Sequence, residues 1–366
     1  MIPPGATLGI LGNGQLGRML ATAAARLGHR CHVYGPDQGP AADVAAATVA
    51  SYEDIDALDR FAEAVDVVTF EFENVPVAAL ERLGLRVPVR PGPAALALTQ
   101  DRVAEKRLAR SLGIATADFA EVAEASGLAG ALERVGTPAV LKTRRMGYDG
   151  HGQAAIRTPQ DAASAWVQVG GAPSILEAFV PFAREVSVVC ARSVDGALAL
   201  YDVSENAHRD HILKLSRVPA RIAAATAEAA VAATGRIADA LAYVGVLAVE
   251  WFVMPDGALV FNEVAPRVHN SGHWTPEACV TGQFEQHVRA VLGMPLGSTR
   301  RLHDASMENL IGSDVDAWPA ILAEDGAIPT RYGKHAVRPR RKMGHVTRIA
   351  PLGTGSPLPP GWPPGG

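Results

Sequence analysis

Two glutamates, Glu250 and Glu263, flank the dipeptide Asp256-Gly257 in a mostly apolar stretch that also holds Val249, Trp251, Phe252, Val260 and Phe261. Asp-Gly between apolar runs is a strong hairpin signal. A turn centred there sets Glu250 directly opposite Glu263 on one sheet face, with Cβ atoms about 5 Å apart. Two carboxylates at that range repel each other in apolar surroundings. A bridging divalent cation relieves the repulsion, and an all-oxygen donor set suits Mg²⁺. A proton shared between the acids, or an arginine paired with them, relieves it equally well.

Five further constellations could carry chemistry. Gly12-Asn13-Gly14-Gln15-Leu16-Gly17 follows a short apolar run, and Asp37 stands twenty residues beyond Gly17. This spacing fits a dinucleotide fingerprint, in which backbone approaches a pyrophosphate at a helix N-terminus. It also serves helix–strand packing or another anion. Glu71-Phe72-Glu73-Asn74 lies at the carboxyl end of an apolar run over 65–70, where open α/β sheets bind ligands. A solvated loop entry is the plainer alternative. Lys142 precedes Arg144-Arg145-Met146-Gly147-Tyr148-Asp149-Gly150-His151-Gly152-Gln153. Its three glycines let backbone fold over phosphates, with Lys142 as a point charge. The G-K-[ST] ending of a P-loop is missing, and an ordinary flexible hairpin is the other reading.

Arg267-Val268-His269-Asn270-Ser271-Gly272-His273-Trp274 crowds cations, a hydroxyl and an amide together. Such a segment makes a poor core and a good anion-binding loop. Finally, residues 331–348 carry seven of the chain's 34 Lys and Arg, and no acid. Tyr332 alone gives no aromatic ladder for single-stranded nucleic acid. A solvated basic face or a nucleic-acid patch is the plainer reading, and a small phosphate-bearing substrate fits equally well; the substrate, with no nucleic-acid partner, is the expectation carried forward.

The elements that must position these groups follow from periodicity. Over roughly the first 95 residues, strands at 7–11, 32–34 and 65–70 alternate with helices such as 15–27, ended by Gly28. Alternation of this kind predicts a parallel doubly wound sheet. After the linker Arg90-Pro91-Gly92-Pro93, Thr99 is expected to cap a helix running to Leu112. Strands are then expected at 138–142, 153–157, 174–177 and 185–191, followed by an Ala-rich helix over 219–242, the hairpin, and a helix over 283–291. Short strands dominate from 294, and six Pro and five Gly in 351–366 predict a flexible tail.

The 366 residues are 48% hydrophobic and 20% charged, with a net charge of −4. Such a chain buries a large core in two to three domains. A disordered chain and a general nucleic-acid coat are excluded. Cys31, Cys190 and Cys279 form no CxxC pair, which argues against a disulfide framework and fits a reducing compartment. No apolar run reaches the roughly 18 residues of a membrane span, so a soluble cytoplasmic protein without a membrane partner is expected.

The stretches LGILGNGQLGRM, VVTFEFENVP, LTQDRVAEKRL, LKTRRMGYDGHGQ, ILEAFVPFAREVSVV, ENAHRDHIL, VEWFV, VFNEVAPRVHNSGHW, QFEQHVRAVLGMPLG and YGKHAVRPRRKMGH occur in this order. Together they resemble the ATP-grasp superfamily, and within it the N5-carboxyaminoimidazole ribonucleotide synthetase family. The resemblance implies an α/β and α+β chain. Its parts are a Rossmann-like lobe over 1–98, an ATP-grasp domain over 99–293 with a glycine lid near 144–153, and a small mostly β domain over 294–350. It implies a homodimer that uses ATP, Mg²⁺ and bicarbonate to carboxylate 5-aminoimidazole ribonucleotide.

By the same resemblance, Arg102 and Lys142 match nucleotide-phosphate ligands, and Gly147, Tyr148, Asp149, Gly150, His151, Gly152 and Gln153 match the covering loop. Glu177, Ala178, Phe179 and Val180 match the adenine hinge. Glu185 matches a ribose ligand, and His208, Asn262 and Glu263 match further nucleotide contacts. Glu250 and Glu263 match the metal ligands. Gln15, Leu16, Glu71, Asn74, Tyr148, Asp149, Arg267, His269, Ser271, Lys334 and Arg341 match the ribonucleotide side, with Asp149, Lys334 and Arg267 nearest the chemistry. Asn13 and His151 depart from the family, which often has Gly and Lys or Arg at these positions. An NAD-dependent dehydrogenase, or an ATP-grasp ligase using formate, stays as the alternative.

Overall fold

The computed structural model describes residues 1–147 and 151–362. Its N-terminal sheet is parallel, in the order Ala46–Val49, Arg30–Gly35, Thr7–Leu11, Val67–Phe70. The strands Thr7–Leu11 and Val67–Phe70 read as apolar runs, as a sheet covered on both faces requires. The helix Gln15–Arg26 buries Leu16, Leu20 and Ala24 against the sheet. Leu8, Ile10, Leu20 and Val67 then join Trp274, Val288, Val291 and Met307 in one apolar cluster. The N-terminal lobe and the body of the protein therefore share a core, and the helix Gln283–Leu292 is their common wall.

A second, antiparallel sheet has the order Phe119–Val122, Ser174–Ala178, Ala139–Thr143, Gln153–Ile156. The largest sheet is also antiparallel. It runs Leu259–Ala265, Gly245–Val253, Arg184–Arg192, Ser204–Arg209, Ile212–Val218, His303–Ile311, Lys342–Pro351, Ala327–Arg331, with Leu198–Leu200 paired to Arg184–Arg192. The C-terminal strands thus extend the central sheet through the pairing of Ile212–Val218 with His303–Ile311. They are longer than expected, because burial on both faces sustains nine- and ten-residue runs.

Three expectations need correction. Thr99 does not cap a helix; it ends the helix Pro93–Thr99. Asp101 caps the next helix, Arg102–Ser111, by accepting from the Val103 and Ala104 amides. The Ala-rich helix spans Ala224–Ala240 only, because the Ala220 amide is committed to Val203 O. The stretch 351–362, expected as a flexible tail, is tied down. Buried Asp304 accepts from the Gly353 and Gly355 amides at 3.0 and 2.7 Å. Ser356 Oγ donates to Val218 O, and the Arg209 guanidinium lies over the Trp362 ring. Among the described residues no helix is long and apolar enough to cross a membrane.

Candidate active site

The three sheets converge on a cleft of about 2050 Å³. On one wall, Glu250 and Glu263 are directly paired across the antiparallel ladder. The hairpin alone does not place them so. Nearer the turn Trp251 pairs with Phe261 and Phe252 with Val260, a register that would set Glu250 opposite Asn262. A β-bulge at Asn262 inserts one residue and brings Glu263 round instead. The helix Arg102–Ser111 grips both sides of the bulge: Lys106 Nζ donates to Phe261 O, and Glu105 Oε1 accepts from the Val264 amide at 3.0 Å.

The paired carboxyls are unequal. Burial, then the charge of Glu263, pushes Glu250 well above the usual carboxylate range. Burial opposes ionisation of Glu263 too, but Arg102 outweighs it and holds that carboxyl down. Arg102 Nη1 lies 2.5 Å from Glu263 Oε2. Beside Glu250, His269 Nδ1 accepts from the Ser271 amide, so Nε2 carries the proton and meets Glu250 Oε1 at 3.3 Å. Burial and Arg267 keep His269 neutral, with its pKa down at about 3. The contact is therefore not an ion pair. Asn262 Oδ1 is buried without a hydrogen-bond partner next to this pair. Two carboxylates beside an unsatisfied amide oxygen are hard oxygen donors and fit Mg²⁺, which needs few protein ligands when phosphates supply the rest. Among the described residues no group of three or more His, Cys, Asp or Glu forms a fuller metal cage.

The residues expected on the nucleotide side lie along the same cleft. Lys142, Gly147, His151, Gln153, Glu177, Ala178, Phe179, Val180, Glu185 and His208 line it. Lys142 Nζ lies 3.1 Å from Glu177 Oε2, and His208 Nδ1 lies 3.3 Å from Glu185. Burial works against the charge of Glu177, yet Lys142, Lys106 and Arg102 bring its pKa down to about 2. Phe182 and Phe252 stack at 4.5 Å, a flat apolar wall suited to a base. Gly152 stands behind the lid base, where a Cβ would meet Thr143 Oγ1 at 2.5 Å. Arg144 and Arg145 are not free to meet phosphates: both pair with Asp101, and Arg144 also with Glu121. Tyr148, Asp149 and Gly150 lie outside the described residues.

Gln15, Leu16, Glu71, Asn74, Arg267, His269, Lys334 and Arg341 also line the cleft. Arg267 Nη2 lies 2.6 Å from Glu73. The glycine turn is filled from within: Glu71 Oε1 accepts from the Gly14 amide at 2.7 Å, and a Cβ on Gly12 would meet that oxygen at 2.5 Å. These glycines admit a carboxylate of the chain itself and leave no room for a pyrophosphate, which removes the basis of the dehydrogenase reading. Asn13 Nδ2 donates to Asp37 O at 2.5 Å, so Asn13 braces the turn it departs in. Ser271 is fully buried behind the wall, where it accepts from Ser187 Oγ at 2.7 Å and fixes the His269 tautomer.

The basic strip divides. Lys334, Arg338, Arg340, Arg341 and Lys342 line the cleft. Arg348 instead pairs with Glu308 and Glu324 in the interior, and Arg331 lies over Trp318. Glu105, Lys106 and Asn262 as a bulge were not singled out as positioning groups from the sequence. Lys106 was findable, since it follows Arg102 by one helical turn and so shares its face.

Residues 107–284 match the ATP-grasp domain, 5–100 the ribonucleotide synthetase preATP-grasp domain, and 305–352 the phosphoribosylaminoimidazole carboxylase C-terminal domain. The N5-carboxyaminoimidazole ribonucleotide synthase of Brucella melitensis is 51% identical over 354 residues, covering 96% of this chain and 98% of its own. Its counterpart in Pseudomonas aeruginosa is 44% identical over 93% of both chains. A crystal structure of an N5-carboxyaminoimidazole ribonucleotide synthetase in its ADP complex superposes with a TM-score of 0.93 at 41% identity, over 96% of this chain and 94% of that one. The Aspergillus clavatus enzyme in complex with ADP and 5-aminoimidazole ribonucleotide gives 0.89 at 32% identity, over 95% and 94%. With its glycine turn closed and relatives this similar along almost its whole length, the chain belongs to the N5-carboxyaminoimidazole ribonucleotide synthase family of ATP-grasp ligases.

Proposed function

We propose that the chain joins bicarbonate to the exocyclic amine of 5-aminoimidazole ribonucleotide at the expense of ATP, giving N5-carboxyaminoimidazole ribonucleotide, ADP and phosphate in purine biosynthesis. The observation that carries this is one cleft lined by Lys142, Glu177 and Phe252, by the paired Glu250 and Glu263, and by the cations Arg267, Lys334 and Arg341. Bicarbonate is a weak electrophile. Transfer of the γ-phosphoryl group to its oxygen breaks the bond to ADP and makes carboxyphosphate. The amine nitrogen then attacks the carboxyl carbon, or CO₂ released from it. Phosphate departs, and the amine gives up one proton.

Such chemistry needs charge neutralisation and positioning more than covalent catalysis. Lys142 and Arg102 supply positive charge at the phosphates. The Phe182–Phe252 pair takes the base, and Glu185 with His208 takes the ribose. Glu250 and Glu263 hold Mg²⁺, which when bound screens the phosphate oxygens. Arg267, Lys334 and Arg341 fix the ribonucleotide phosphate and carboxylate-like charge. Asp149 is assigned the amine by resemblance, and the glycine lid keeps water from the labile intermediate. The domain boundaries at 98, 293 and 350, a cytoplasmic location and a homodimer belong to this reading by the same resemblance.

The test is ADP release by the purified protein. It is expected to require bicarbonate and 5-aminoimidazole ribonucleotide together, and turnover no faster with both than with neither overturns the reading. Formate replacing bicarbonate without loss of rate would assign the chain to a different ATP-grasp ligase.

A further inference from the structure

Lys106 sits one turn beyond Arg102 on the helix Arg102–Ser111, and its side chain is 2% exposed. Its Nζ lies 3.2 Å from Glu177 Oε2 and 3.3 Å from Phe261 O. The same carboxylate oxygen meets Lys142 Nζ at 3.1 Å. One oxygen thus holds two ammonium groups, while Glu177 Oε1 is buried without a partner. The two lysines are not equivalent. Lys106 is locked in the interior and also serves the carbonyl before the Asn262 bulge. Lys142 is 14% exposed and lines the cleft.

A buried charge left without a counter-charge is strongly unfavourable. With Lys142 as its only lysine partner, Glu177 would be stranded whenever Lys142 turned toward a ligand. The other nearby cation, Arg102, is engaged by Glu263. We propose that Lys106 is a positioning residue of the nucleotide site: it is the fixed counter-ion of Glu177, and it leaves Lys142 free to exchange from Glu177 to the nucleotide phosphates. The inference rests on reading this cleft as a nucleotide site. Its consequence is specific, because Lys106 should matter for the phosphates and not for the base.

The experiment compares calorimetric binding of ADP and of adenosine to the full chain. In Lys106→Gln, which can still donate to Phe261 O, ADP binding is expected to weaken about tenfold while adenosine binding is unchanged. Adding Glu177→Gln, which removes the acid that captures Lys142, is expected to restore most of the ADP affinity. Lys106→Arg, which keeps the charge, serves if Lys106→Gln does not fold, and is expected to retain the wild-type ratio of ADP to adenosine affinity. Equal loss of ADP and adenosine, failure of the second substitution to rescue, or a collapsed ratio in Lys106→Arg overturns the inference and leaves the nucleotide reading standing. Failure of the wild-type protein to bind ADP overturns both.

Discussion

Glu250 and Glu263 face each other because Asn262 is looped out of the ladder between them. Were Asn262 kept in the ladder, the residue opposite Glu250 would be an amide, and the two acids would not be directly paired. The arrangement places two close carboxyls on the wall of the cleft. Glu250→Gln and Glu263→Gln are each expected to lower Mg²⁺-dependent ADP formation by about 10²-fold or more. The melting midpoint of Glu250→Gln should stay within about 3 °C of wild type, since that change keeps shape and polarity. Near-normal turnover in either variant contradicts the assignment of this pair.

The raised Glu250 carboxyl gives a pH signature. Its folded value lies above the ordinary glutamate range, chiefly through burial and then Glu263. The stability that its protonation contributes is present below the unfolded glutamate value. It is lost as pH rises through the raised value, near neutrality. Mg²⁺ competes with that proton. The rise in melting temperature on adding Mg²⁺ with ADP is therefore expected to grow from pH 5.5 to pH 7.5, and Glu250→Gln should flatten it. An equal Mg²⁺ effect at both pH values counts against this assignment.

Glu71 occupies the glycine turn, so the turn has no vacancy for a dinucleotide. Fluorescence titration with NADH is expected to show no saturable binding. Glu71→Ala leaves the Gly14 amide unpaired, at a cost of about 1–3 kcal/mol. A tight NADH complex of the wild-type protein would restore the dehydrogenase reading.

Residues 353–356 tie the chain's end to the sheet through Asp304 and Val218 O. Ending the chain after Leu352 removes two hydrogen bonds from a buried carboxylate that pairs with Arg301. The midpoint of thermal unfolding is expected to fall by at least about 3 °C. An unchanged midpoint means that the tail contributes nothing to stability.

What the sequence made legible follows from period and spacing. Asp256-Gly257 announces the hairpin, and the Glu250–Glu263 pairing came out right. It did so because a turn register one residue off was offset by a bulge, which no local residue signal reveals. Gly12 and Gly14 matched a fingerprint, but spacing cannot tell an external phosphate from a carboxylate supplied fifty-odd residues later by Glu71. The basic run at 331–348 was visible as charge, whereas the burial of Arg348 against Glu308 and Glu324 depends on strands distant in sequence. Ser271 looked like a ligand because hydroxyls bind anions. Burial turns it instead into the group that orients His269. Asp101 beat Thr99 as a helix cap through a preceding helix begun by Pro93, a boundary that composition alone left open.

The most direct measurement is the incorporation of carbon from ¹⁴C-bicarbonate, counted against ADP formed in the same reaction with 5-aminoimidazole ribonucleotide and Mg²⁺-ATP. The expected result is label in the ribonucleotide, acid-labile as a carbamate is, in near-equal amount to ADP and absent without ATP. ADP formed with no label in the ribonucleotide, or label appearing without ATP, contradicts the ATP-dependent carboxylation on which everything above converges.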